Sequence, residues 1–172
     1  PLKHATEKVL EKKIVLEKLK IILEDRDIKK VGQNIKFDYV IFLKNKIKLN
    51  FIEDTMLMSY TLDAGRHRHN MDNLSEIHLN HKTISFKEVT GTGKNQISFD
   101  KVPIKLATQY AEEDAEVSYR LYNIFNKRLN QEKLYKNYEL VNKPLISLLA
   151  QMEIEGIKID SDFLNEHTLK FN

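Results

Sequence analysis

The chain has 172 residues, 41% of them hydrophobic and 31% charged, with a net charge of +3, which is enough material for one domain with its own core. There is no cysteine, so a disulfide framework and thiolate metal ligation are excluded, and any metal must sit on Asp, Glu or His. No apolar run approaches the ~20 residues of a membrane span, and Pro1-Leu2-Lys3-His4 lacks the apolar centre of a secretory signal.

In chain order, Leu16, Leu19, Ile22 and Leu23 share one face of an amphipathic helix over 16–24, with Lys12, Lys13, Lys18 and Lys20 on the solvated side. Residues 28–32 form a short strand candidate ending at Gly32. An apolar, aromatic helix over 37–43 follows, then a strand candidate over 49–52. Asp54 has the chemistry of an N-cap for a helix through Leu62, because its carboxylate can accept the free N–H groups of the first turn. Residues 63–70 are a polar loop and 72–79 a short helix. The broken pattern over 86–99, with Gly91 and Gly93, reads as a loop or a helix–loop mixture. Long helical periodicity covers 104–129. A second long helix covers 134–154, kinked or divided by Pro144 and ended by Gly156. Residues 157–159 are strand-like, and Asp160 or Ser161 caps a final segment. The class is α/β with helix in excess.

Four segments carry candidate chemistry. In Val31-Gly32-Gln33-Asn34-Ile35-Lys36-Phe37-Asp38 a carboxylate follows the carboxyl end of a strand, where α/β sheets place ligands. Asp38 can reach a metal or substrate there, or it serves only as a first-turn acid favoured by the helix dipole. Tyr110 and Asp114 lie four apart on one helical face. A carboxylate that binds a divalent ion beside a phenol that aligns water suits phosphodiester hydrolysis; an acidic, solvated helix is the plainer alternative. Gly65-Arg66-His67-Arg68-His69-Asn70-Met71-Asp72 offers cations for phosphate contacts, with a solvated loop or a His-x-His metal site as alternatives. Phe86 can stack on an unpaired base or fill a core. Gly91-Thr92-Gly93-Lys94-Asn95 lacks the Walker spacing and is no nucleotide-triphosphate site.

The order and spacing of these segments, with Asp54-Thr55-Met56-Leu57 and His81-Lys82-Thr83-Ile84-Ser85-Phe86 between them, resemble the 3′–5′ exonuclease domain of bacterial DNA polymerase I, the smaller half of the Klenow fragment. Glu155-Gly156-Ile157-Lys158-Ile159-Asp160 resembles the junction where that family's polymerase region begins. The resemblance implies an RNase H-like fold over 1–130, with 131–172 as a helical connection and the start of the polymerase domain. It implies a site of four carboxylates and one tyrosine holding two divalent ions, Mg2+ or Mn2+. Asp38 and Asp114 resemble metal-binding aspartates and Tyr110 the water-orienting tyrosine. Gln33, Asn34, Arg66, Arg68, Met71 and Phe86 resemble residues that hold a single-stranded 3′ DNA end. The family's Asp-x-Glu motif on the first strand is not found here, so the chain is expected to start downstream of it, without the first strands, and to have little activity alone. The implied protein is a monomeric cytoplasmic, nucleoid-associated bacterial enzyme that proofreads during replication and repair. A catalytically dead scaffold and a stand-alone DEDD-type ribonuclease are the alternatives.

Overall fold

The computed structural model describes residues 10–171. The opening segment, on which the expected position relative to the first motif rests, lies outside the described residues.

Helix α1 (Lys12–Glu24) starts a turn earlier than the periodicity predicts. Its apolar face finds little cover: Leu19 is 40% and Ile22 48% exposed. Strand β1 (Lys30–Gly32), helix α2 (Ile35–Lys44) and strand β2 (Ile52–Asp54) follow. The strands pair in parallel, Lys30 with Ile52 and Gly32 with Asp54, and α2 is the crossover that a parallel pair requires. Strand β2 begins later than the expected 49–52. Phe51 has φ +51, a left-handed conformation that breaks the extended run, and Ile47 and Leu49 enter the core without joining the ladder.

Helix α3 (Thr55–Asp63) is capped by Asp54, as its sequence position predicts: the side chain accepts from the Met56 and Leu57 N–H groups. Helix α4 (Met71–Leu79) follows the polar loop. The mixed segment resolves into α5 (Phe86–Thr90), closed by a Ser85/Glu88 capping box, and two 3-10 turns, Gly93–Asn95 and Phe99–Lys101. Helix α6 (Ile104–Gln131) is the spine of the domain. Its Val117, Leu121, Phe125 and Leu129 interlock with Met58 and Leu62 of α3, Leu74 of α4 and Tyr138.

The expected helix over 134–154 is three pieces. They are α7 (Tyr135–Asn137), a π turn (Tyr138–Asn142) and α8 (Pro144–Glu155), with Pro144 at the first turn of α8. Burial explains the π turn. It directs the Tyr138 hydroxyl to donate to Glu53 Oε2 at 2.9 Å while accepting from the Asp54 N–H at 3.0 Å. Lys143 reaches Glu53 Oε1 at 3.1 Å, so the buried Glu53 is paired, as a buried charge must be. Helix α8 packs Ile146 and Ala150 against Ile35 and Tyr39 of α2. Gly156, at φ +72, ends α8.

Residues 157–159 are not a strand. They have no ladder partner among the described residues, and Ile157 is 91% exposed. Asp160 rather than Ser161 caps α9 (Ser161–Phe171), through the Phe163 N–H at 3.0 Å.

Candidate functional site

The geometry gathers around the first half of α6. Lys29, just before β1, meets Tyr122, and Val31 packs on the cluster that contains Val117 and Leu121. Tyr110 and Asp114 lie roughly two to three turns before Tyr122 on the same helix.

The Tyr110 phenol and the Asp114 carboxylate lie close enough for each to alter the other's protonation. Burial, then the nearby Asp114 charge, pushes Tyr110 up to about 12. Burial also pushes Asp114 up to about 6; Tyr110 opposes the shift, and Glu113 and Asp72 add to it. Among the described residues, Asp114 Oδ1 is buried without a hydrogen-bond partner. That orphaned oxygen, in a neighbourhood of like charge, fits a divalent cation, which would relieve both penalties.

Aromatic rings form one wall of this site. Phe86 stacks on Phe99 at 6.0 Å between centroids, and both rings contact Tyr110. Phe86 remains 47% exposed, so part of its face is open to a ligand. The sequence reading missed the supporting carboxylates. Glu113 accepts from the Ile84 N–H at 2.6 Å and bonds His81 Nε2 at 2.8 Å, and Asp72 accepts from Thr83 Oγ1 at 2.7 Å. Their partners lie 11 to 32 residues away along the chain, a relation that helical spacing does not carry.

The other predicted residues occupy neighbouring positions. Met71 lies beside Ser118, one turn beyond Asp114, its sulfur 3.7 Å from the Ser118 hydroxyl. Gln33 donates to the His69 carbonyl at 2.8 Å and accepts from Thr55 Oγ1, tying β1 to the polar loop. Asn34, in the left-handed region, donates its N–H to Asp54. Arg66 turns toward Asp63 at 3.0 Å, and Arg68 is exposed. Asp38 stands in the first turn of α2 at a cavity of about 160 Å³ shared with Leu23, Lys30 and Phe42. The residue is exposed overall, and partial desolvation of its carboxyl raises its pKa. The structure thus joins Tyr110, Asp114 and Phe86, sets Met71 next to them, and has Asp38 line a small cavity with Val31 and Gly32 of β1.

The Asp114 shift has a consequence for stability. A carboxyl whose pKa is higher folded than unfolded favours folding only while protonated. Its penalty is absent below its ordinary value near 3.8 and complete above about 6. Asp114→Asn should therefore stabilise the chain by about 2 kcal/mol at pH 7.5, with the gain fading as pH falls from 6 toward 4. Urea unfolding across that range checks it; an equal gain at pH 4 would disprove the charge origin.

A family model described as 3′–5′ exonuclease, of the DNA polymerase A type, matches residues 1–130. The chain belongs to this exonuclease family. It is similar to DNA polymerase I of Rhizobium leguminosarum, 45% identical over 150 residues, 87% of this chain and 15% of that protein. It is also similar to DNA polymerase I of Pseudomonas aeruginosa, 37% identical over 90% of this chain and 17% of that protein. The exonuclease-family chain thus spans about a sixth of the length of these relatives. Among solved structures, Brucella melitensis NrnC superposes with a TM-score of 0.62 at 21% identity, covering 83% of this chain and 68% of that one. A second NrnC structure, bound to pGG, gives 0.63 at 19% identity, covering 91% and 72%. The helix-rich α/β fold is the RNase H-like exonuclease fold that the resemblance implies. Among the described residues, no helix is long and apolar enough to cross a membrane.

Proposed function

We propose that this chain is the proofreading module of a DNA polymerase I, hydrolysing the terminal phosphodiester of a single-stranded 3′ DNA end. The observation that carries this reading is the Tyr110–Asp114 pair, with its unpartnered buried oxygen, beside the open face of Phe86. Asp38 and Asp114 would hold divalent cations, Mg2+ or Mn2+, as the resemblance to the exonuclease family implies. Bound cations supply a lowered water pKa and charge to offset the leaving 3′ oxygen.

The chain's own residues do the rest. Tyr110, kept protonated by burial, donates a hydrogen bond that aims a water. Phe86 stacks on an unpaired base, and Met71 supports the neighbouring sugar. Gln33 and Asn34 line the approach from β1, and Arg66 and Arg68 meet the phosphates. A mispaired end frays at lower cost than a paired one and so enters more often. The module works as a monomer within a cytoplasmic, nucleoid-associated enzyme of replication and repair.

A stand-alone ribonuclease is the second reading, favoured by the likeness to NrnC, one of whose structures holds pGG. Magnesium-dependent trimming of mispaired and paired primer termini tests the two. The polymerase that carries this sequence should remove a mispaired 3′ deoxynucleotide at least about tenfold faster than a paired one, and a chelator should stop it. Preference for short ribonucleotides would favour the second reading, and no hydrolysis of either would leave a scaffold.

A further inference from the structure

The geometry points to a second cation site, apart from the nuclease residues, in which Asp63, His67 and His78 hold one borderline transition ion of the Zn2+ class. Three places in the chain contribute: the end of α3, the loop after it and the last turn of α4. One ligand atom from each residue lies within 4.8 Å of the others. A tetrahedral ion with bonds of about 2.0–2.2 Å sets its ligands roughly 3.4 Å apart, so closure by about an ångström completes the set. Two imidazoles and one carboxylate form a zinc donor set that leaves one position for water.

Two observations indicate that the histidines are prepared as ligands. His67 Nδ1 lies 2.9 Å from the Arg68 carbonyl. A carbonyl can only accept, so in the neutral ring the proton sits on Nδ1 and the lone pair on Nε2. That Nε2 points at Asp63, 3.8 Å away. A backbone carbonyl behind a ligating imidazole is the usual second contact that fixes its tautomer. His78 Nε2 is buried with no hydrogen-bond partner among the described residues, and buried polar atoms seldom lack one. Edge-on packing against Phe125, at 4.9 Å between centroids, holds that ring in place.

Asp63 supplies the negative charge of the set, and two arginines already share it. Arg128 and Arg66 hold it below the usual carboxylate range, so it is ionised, and burial, then Arg128, holds His78 below the usual imidazole value. Arg128 forks onto Asp63 at 2.7 and 3.2 Å. The ion must share this carboxylate, with Arg128 remaining as the outer partner and Arg66, 74% exposed at its side chain, swinging away. The occupied site would brace the loop whose His69 carbonyl anchors Gln33.

Titration of the 172-residue chain with Co2+ and then Zn2+ tests this. The unaltered chain should take one Co2+ with the visible absorption of a four-coordinate, nitrogen-ligated ion, and Zn2+ should displace it. His67→Ala, a change in the loop, should weaken binding at least tenfold. An Asp38→Asn/Asp114→Asn double variant should bind unchanged. Absence of that spectrum in the unaltered chain overturns the site without recourse to any variant. So does binding that survives His67→Ala or is lost in the double variant.

Discussion

An Asp114→Ala variant of a DNA polymerase I carrying this sequence should lose at least about a thousandfold of its 3′–5′ hydrolysis of single-stranded DNA and keep its rate of synthesis. The magnitude is what removal of one well-placed electrostatic group costs a hydrolytic transition state. The expectation rests on the position of this one carboxylate. It lies beside Tyr110, is crowded by Asp72 and Glu113, and has an oxygen buried without a partner among the described residues. Such an arrangement is costly to the fold, as the expected gain in stability of Asp114→Asn expresses, and costly arrangements persist at sites that work. Single-turnover digestion of a 3′-labelled oligonucleotide measures the loss. Hydrolysis within tenfold of the unaltered enzyme would remove Asp114 from the site.

Asp54→Ala should cost about 3–5 kcal/mol of folding stability, the largest effect expected of a substitution outside the site. The carboxylate accepts from Met56 and Leu57 at the start of α3, and from Asn34 and Ile35 at the start of α2, at 2.9 to 3.4 Å. Loss of the cap alone costs about 1–2 kcal/mol. The two N–H groups of α2 then add about 1–3 kcal/mol each, because Asp54 is buried and water cannot replace it. Relief of a buried charge, whose pKa burial pushes up, offsets part of the sum. Asp54→Asn keeps an acceptor and should cost less than half as much. For a chain of this size the alanine variant should melt roughly 10 °C lower. A loss below about 1 kcal/mol in urea unfolding would show that Asp54 does not join the two helices. Because Asn34 and Asp38 begin α2, the same variant should also impair hydrolysis.

Asp54 also shows how far the sequence could be read. Its role as a cap for α3 follows from a carboxylate one residue before an apolar helix, a local relation. Its second role, at the start of α2, depends on β1 and β2 lying side by side in parallel, and nothing within a helix turn of Asp54 encodes that pairing. The same division holds at Glu53. The expected strand stops at Ile52, one residue short of it, and the burial of Glu53 between Tyr138 and Lys143 arises from the π turn some 85 residues later.

The sequence alone determined the features whose cause lies within about four residues. These are the α6 periodicity, the Tyr110–Asp114 face, the Asp54 cap, the break at Pro144 and the stop at Gly156. The tertiary structure decided the rest: the start of β2, the unpaired course of residues 157–159, the cavity that Asp38 lines, the carboxylates around Asp114, and the meeting of His67 with His78 and Asp63. Helix turns and caps are set by contacts between near neighbours, so their pattern is written locally. Strand pairing, burial and the charge around a group depend on residues brought together only by chain closure over tens of positions.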